Sequence, residues 1–284
     1  AASDVYKRQE QGRIVEQGQS QTVFNSPKHP YTKRLLAAIP QQAKPAKFKC
    51  IPKKNSPLLS VKNVSISYAD RRSRFQAVNN VSLKLAKGEI LGLVGESGCG
   101  KTTLSQSIVK LINIDHGEIQ LGEQSLHRLN TSELKQARKN VQMIFQDPYS
   151  SLNPRMTVFN TLAEPLEIHQ LAESSDIKEK VLSLMTDVGL DISLANKYPH
   201  EFSGGQRQRI AIARALVVEP QLIIADEPVS ALDVTIQAQI LELLLTLCKQ
   251  RQLTMIFISH DLAVVRYIAC LLYTSDAADE EDSV

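Results

Sequence analysis

The 284-residue sequence is poor in cysteine. Its four, Cys50, Cys99, Cys248 and Cys270, are scattered with neither metal-ligand nor redox spacing. That removes zinc modules and disulfide frameworks from consideration and asks for nothing beyond a reducing compartment. Long apolar runs are missing too: none approaches the roughly 20 residues of a membrane helix, and the N-terminus lacks the regions of a signal peptide. The expectation is a cytosolic protein. Charge of one sign is not in excess: the net charge is +3 and the basic residues are spread, whereas a nucleic-acid footprint would concentrate them. Neither a coiled coil nor a basic arm is present. With 43% apolar and 22% charged residues, the composition suits one large α/β core or two modest domains.

What is present is concentrated in Leu91-Gly-Leu-Val-Gly-Glu-Ser-Gly-Cys-Gly-Lys-Thr-Thr-Leu104, which reads as strand, glycine loop and helix. Residues 95–102 match the phosphate-cradling pattern G-x-x-x-x-G-K-[ST], a match that chance gives in about one per cent of chains this long. Gly95, Gly98 and Gly100 let the backbone turn tightly with its N–H groups inward. Lys101 would reach the β- and γ-phosphates, and the Thr102 hydroxyl would ligate Mg²⁺. The helix opening near Gly100 adds the positive end of its dipole. Glu96, Ser97, Cys99 and Thr103 complete the nucleotide-binding stretch, although other small residues would serve at Cys99. A dinucleotide fold is a second reading, because Gly92, Gly95 and Gly98 fall three apart. That spacing is not G-x-G-x-x-G, and it leaves Lys101 unexplained.

Leu222-Ile-Ile-Ala-Asp-Glu227 is an apolar strand ending in two carboxylates. A phosphate-loop fold needs one acid there to hold Mg²⁺ through its water shell, a role that Asp226 fits. Glu227, one residue on, is better placed to polarise the water that attacks the γ-phosphate. In Phe202-Ser-Gly-Gly-Gln-Arg-Gln-Arg209, Ser203, Gly204 and Gly205 at a helix start form a second anion site with free N–H groups.

Together with Ser230-Ala-Leu-Asp233 and Ile258-Ser-His-Asp261, that stretch resembles the signature, D-loop and switch histidine of the ATP-binding-cassette (ABC) ATPases. The resemblance implies an α/β fold: a mainly parallel phosphate-loop core, an antiparallel β edge and a helical insertion over about residues 147–202. It implies ATP and Mg²⁺ as cofactors, and a head-to-tail pair in which the loop of one cassette and Ser203, Gly204, Gly205, Gln206 and Asp233 of the other enclose each ATP. Tyr68 corresponds to the aromatic that stacks on adenine, Gln146 to the glutamine that senses Mg²⁺ and the transport channel, and His260 to the histidine that contacts the γ-phosphate.

Phe145-Gln-Asp-Pro-Tyr-Ser-Ser-Leu-Asn-Pro-Arg155 and Pro27-Lys-His-Pro-Tyr-Thr-Lys-Arg-Leu-Leu-Ala-Ala-Ile-Pro40 are similar to the oligopeptide and dipeptide importer ATPases. That resemblance implies a subunit at the inner face of the cell membrane. It would drive uptake of peptides or a related small solute through separate permease subunits, indirectly with a solute-binding protein and without nucleic acid. A non-transport ABC ATPase acting on ribosomes or DNA is the runner-up, and an inactive ATP-binding fragment a third reading. The transported solute is not legible, because the ATPase subunits do not touch it.

The second of those stretches belongs at the end of such a cassette, which divides the chain. Residues 11–40 read as the tail of a preceding cassette, the Lys- and Pro-rich 41–57 as a linker, and 58–269 as an ATPase domain. Residues 1–10 carry no periodic pattern and 270–284 close in an acidic run, so both read as non-native additions. The expectation is that residues 270–284 form no strand and leave an apolar sheet edge open.

Overall fold

A computed structural model describes residues 5–10, 12–37, 57–69 and 74–274. The chain begins with an antiparallel hairpin, β1 (Val5–Glu10) and β2 (Arg13–Gln19), followed by α1 (Ser20–Asn25) and α2 (Pro30–Ala37). The expectation that residues 1–10 form no element is thus corrected. Residues 5–10 find ladder partners in the alternating strand that follows, which their own pattern could not announce. The Glu16 carboxylate accepts the N–H groups of Lys28 at 2.7 Å and His29 at 3.1 Å, tying the hairpin to the turn before α2. The linker reading of 41–57 lies, but for Pro57, outside the described residues.

The cassette opens with β3 (Leu59–Ala69) and β4 (Arg74–Leu85), then β5 (Ile90–Val94) and α3 (Lys101–Ile108). Next come β6 (His116–Leu121), β7 (Gln124–Ser125), α4 (Thr131–Arg138) and β8 (Val141–Ile144). Residues 147–202 are helical, with α5 (Pro148–Ser151), α6 (Val158–Ile168), α7 (Ser174–Asp187) and two single 3₁₀ turns, in agreement with the expected insertion. The chain then returns to α8 (Gly204–Leu216), β9 (Leu222–Asp226), α9 (Val234–Arg251), β10 (Thr254–Ser259), α10 (Leu262–Ile268) and β11 (Leu271–Thr274). Helix α2 lies against α9.

Two sheets carry the cassette. One is antiparallel, ordered β4-β3-β6-β7; the other is parallel, ordered β11-β5-β10-β9-β8. The parallel strands β5, β9 and β10 are buried along their whole length, which is why they read as continuous apolar runs. Their two faces feed different cores. Ile90, Val94, Ile223, Ala225, Met255 and Phe257 pack toward α8, α9 and the helical insertion. Leu91, Leu93, Leu222, Ile224, Ile256 and Ile258 pack toward α3 and the antiparallel sheet.

The expectation of an open edge at β5 is also corrected. Residues 271–274 form β11, which pairs in parallel with 91–94, and Cys270 N–H donates to Ile90 O at 2.9 Å. An unpaired strand edge beside a buried strand is costly, so even a short segment of weak pattern is recruited to it. Residues 275–284 lie outside the described residues.

Candidate functional site

Four loops at the carboxyl ends of adjacent parallel strands converge, the position at which open α/β sheets bind ligands. After β5, the chain turns through residues 95–100 into α3. Gly98 and Gly100 take φ of 90° and 91°. A Cβ at Gly100 would stand 2.1 Å from the Ala77 carbonyl oxygen, so only glycine fits that turn. Gln146 follows β8, Glu227 follows β9 and His260 follows β10. Ser97, Gly98, Gly100, Lys101, Thr102 and Thr103, with Gln146, Glu227 and His260, line one cleft of about 460 Å³.

Within the cleft the polar groups are already engaged. Lys101 is buried, and its Nζ donates to Gly95 O and Glu96 O, both at 2.6 Å, and to Cys99 Sγ at 3.4 Å. The loop therefore holds its lysine through carbonyls and a thiol. Glu227 Oε2 accepts from Gln146 Nε2 at 3.1 Å and lies 3.3 Å from His260 Nδ1. Glu227 itself sits at φ 46°, in the left-handed region that non-glycine residues rarely adopt, with its N–H bonded to Ile258 O.

Asp226 is 4% exposed, and Oδ1 has no hydrogen-bond partner among the described residues. Burial pushes its pKa up, and the nearby Glu227 charge adds to that; a hydrogen bond from Thr102 and the Lys101 charge act the other way. An orphaned carboxylate oxygen next to a threonine hydroxyl is the donor chemistry that a hard divalent cation and its waters satisfy, so these residues fit Mg²⁺. Because the folded-state pKa is raised, the carboxyl contributes no penalty while protonated and becomes destabilising as pH rises from 3.8 through the raised value. Asp226→Asn should therefore show a higher urea midpoint than the parent at neutral pH, with the gap closing as pH falls toward 4.

Tyr68, at the end of β3, is 46% exposed, and its hydroxyl lies 3.3 Å from Thr103 Oγ1 in the first turn of α3. Its ring stands open at the side of the loop.

A family model for the ABC transporter matches residues 78–230. The chain belongs to that family. A second model, for the C-terminal region of oligopeptide/dipeptide transporters, matches residues 15–76, ahead of the cassette and reaching into β4. The oligopeptide transport ATP-binding protein OppF of Bacillus subtilis is 50% identical over 214 residues, covering 75% of this chain and 70% of OppF. The glutathione import ATP-binding protein GsiA of Pectobacterium atrosepticum is 42% identical over 91% of this chain, which spans 46% of GsiA. Among solved structures, the ATP-binding cassette MJ0796, dimeric in a post-hydrolysis state with ADP and Pi, superimposes with a TM-score of 0.68 at 31% identity, covering 74% of this chain and 90% of that one.

The remaining ABC motif residues stand outside the cleft. Ser203 caps α8: its Oγ accepts from Gln206 N–H at 3.4 Å, while Gln206 Oε1 accepts from Ser203 N–H at 3.0 Å. The reciprocal pair takes up one of the donors expected to be free, Ser203 N–H, together with that of Gln206, and leaves the exposed Gly204 and the buried Gly205 as the remaining donors of the first turn. Gly205 has a packing duty as well, since a Cβ there would meet Ile236 Cγ2 at 2.5 Å; at Gly204 the nearest atom, Leu232 Cδ2, is 3.4 Å away. Gly205→Ala should cost roughly 1–3 kcal/mol by overpacking α8 against α9, whereas Gly204→Ala should leave the urea midpoint nearly unchanged. Asp233 is the N-cap of α9, accepting from Thr235 and Ile236 N–H at 3.1 Å. Sequence reasoning missed three things: this N-cap duty, the strained backbone at Glu227, and two α8 arginines that grip α5. Two of these left a signal: Asp233 directly precedes an apolar helical run, the usual N-cap position, and Arg207 and Arg214 lie seven apart on one helix face.

Proposed function

We propose that this chain is the ATP-binding and hydrolysing part of an ABC importer for peptides or a related small solute such as a glutathione-like tripeptide. The observation that carries the reading is the gathering of Lys101, Thr102, Gln146, Glu227 and His260 on one cleft at the end of the parallel sheet. ATP would bind with its phosphates in the turn of residues 95–102, and Lys101 would exchange its carbonyl partners for phosphate oxygens. Tyr68 would stack on the base. Asp226 and Thr102 would hold Mg²⁺, with Gln146 at its edge; when bound, the ion neutralises charge on the β- and γ-phosphate oxygens. Glu227, oriented through Oε2 by Gln146 and His260, would present Oε1 to the attacking water and accept the proton that this water loses as its oxygen bonds to the γ-phosphorus. The products are ADP and inorganic phosphate.

Gly204 and Gly205 do not line this cleft, which supports a head-to-tail pair in which Ser203 to Gln206 and Asp233 of a second cassette complete the site. The dimeric state of MJ0796 and the order of the two family matches support a two-cassette parent, with residues 11–40 closing a first cassette and 58–269 forming the second. The chain would work on the inner face of the cell membrane against permease subunits. Affinity purification from cells with and without ATP tests this: recovery of membrane permeases supports the importer reading, and recovery of ribosomes or DNA instead would replace it with a non-transport ATPase.

A further inference from the structure

The four-residue helix α5 begins two residues after Gln146 and is held at both ends by α8, the helix that the signature starts. At its far end Arg214 Nη1 donates to Ser151 O, a contact half-buried among the helices. At its near end the guanidinium of Arg207 lies 5.0 Å from the centre of the Tyr149 ring. Arg207 is not free to wander, because its Nε also donates to Pro199 O at 2.9 Å and its own N–H to Ser203 O. Tyr149 is oriented too, its N–H bonded to the Asp147 cap at 2.8 Å, yet its side chain is 59% exposed. One end of α5 is thus fixed by a partly buried hydrogen bond and the other by an exposed contact that solvent can replace.

The connections run without a gap: Glu227 Oε2 to Gln146, two residues of backbone to α5, Tyr149 to Arg207, and one helical turn to Gly204 and Gly205. We propose that Tyr149 and Arg207 are positioning residues that register the signature's helix start against Gln146, so that nucleotide in this chain's own cleft sets the surface it offers to a second cassette. The proposal rests on the ATP-dependent pairing put forward above. Neither residue touches nucleotide; both act through Gln146 and the first turn of α8. An exposed cation–π contact shifts an equilibrium roughly two- to fivefold. A symmetric pair contains two such contacts, so ATP-driven pairing should weaken by about fivefold to thirtyfold when the ring is removed.

The test uses the full chain in a Glu227→Gln background with Mg-ATP, comparing Tyr149→Ala, Tyr149→Phe, Arg207→Lys and Arg207→Gln. Nucleotide affinity is read by titration with a fluorescent ATP analogue, pairing by sedimentation, and the amides of residues 203–207 by hydrogen exchange. Tyr149→Ala and Arg207→Gln should bind nucleotide within about twofold of the parent, pair more weakly, and lose the nucleotide-dependent change in exchange at residues 203–207. Tyr149→Phe, which keeps the ring, should behave as the parent, and Arg207→Lys should lie between. Parental pairing in Tyr149→Ala overturns the proposal. So does loss of nucleotide binding or of the urea midpoint in both alanine and phenylalanine variants, which would make the role merely structural. A parent whose 203–207 amides ignore nucleotide overturns it as well, while a parent that binds no nucleotide overturns instead the function on which it rests.

Discussion

Glu227→Gln is expected to bind ATP as the parent does and to lose two or more orders of magnitude in single-turnover hydrolysis, a positioned general base being worth roughly 10²–10⁴-fold. The substitution is nearly isosteric, and the environment of the side chain explains why binding should survive it. Gln146 Nε2 donates to Oε2, and the amide oxygen of a glutamine can accept the same bond. The left-handed backbone at residue 227 is strained for either side chain, so the fold gains and loses nothing there. What disappears is the negative charge that draws the proton of the attacking water. Turnover at the parental rate would move the base elsewhere, and His260, 3.3 Å from Oε2, would be the first residue to test.

Lys101→Ala is expected to weaken ATP binding by about tenfold to more than a hundredfold, the range of a charge-assisted hydrogen bond of roughly 1.5–3 kcal/mol. The partners of Lys101 sharpen this expectation. Lys101 Nζ already occupies the carbonyls of Gly95 and Glu96, so ATP competes with two short hydrogen bonds for the same ammonium group. The measured loss is therefore the difference between phosphate and carbonyl partners, and it should be larger at low ionic strength. Lys101→Arg should not rescue it: the residue is 6% exposed, and the longer, planar guanidinium does not reproduce the ammonium's fit between the two carbonyls. Titration with a fluorescent ATP analogue reads both variants. Unchanged affinity in Lys101→Ala would mean that residues 95–102 are not the phosphate site.

The parallel core was legible because strands buried on both faces carry apolar runs, 222–225 and 255–258, that end just before carboxylates or shortly before a histidine. Lys101, Thr102, Asp226 and Glu227 could be named from the apolar strands that lead into them, whereas Gln146 and His260 were named only through the family resemblance. Pairing partners were not legible. Residues 271–274 carry no distinctive pattern, and what makes them a strand is the vacant edge of β5, a feature of the assembled sheet rather than of the segment. The same holds for 5–10 beside β2. Gly205 was read as an anion-binding glycine alone, because its second duty depends on Ile236 in another helix. Asp233 was read only as part of a motif, although an aspartate directly before the apolar run at 234 also signals the cap that it forms on α9.

The order of the parallel sheet has a kinetic consequence. Strand β5 follows the antiparallel edge early in the chain, yet its neighbours are β10 and β11 near the other end, and Gly88 N–H closes on Thr254 Oγ1 across 166 residues. Loop closure over such separations makes folding slow, and the phosphate turn can reach Glu227 and His260 only after β9 and β10 have joined. The nucleotide pocket is thus among the last features to exist during folding, and a ligand that binds only the finished sheet withdraws molecules from the unfinished ensemble. Refolding in the presence of Mg-ATP should raise the yield of native chain without accelerating its first compaction.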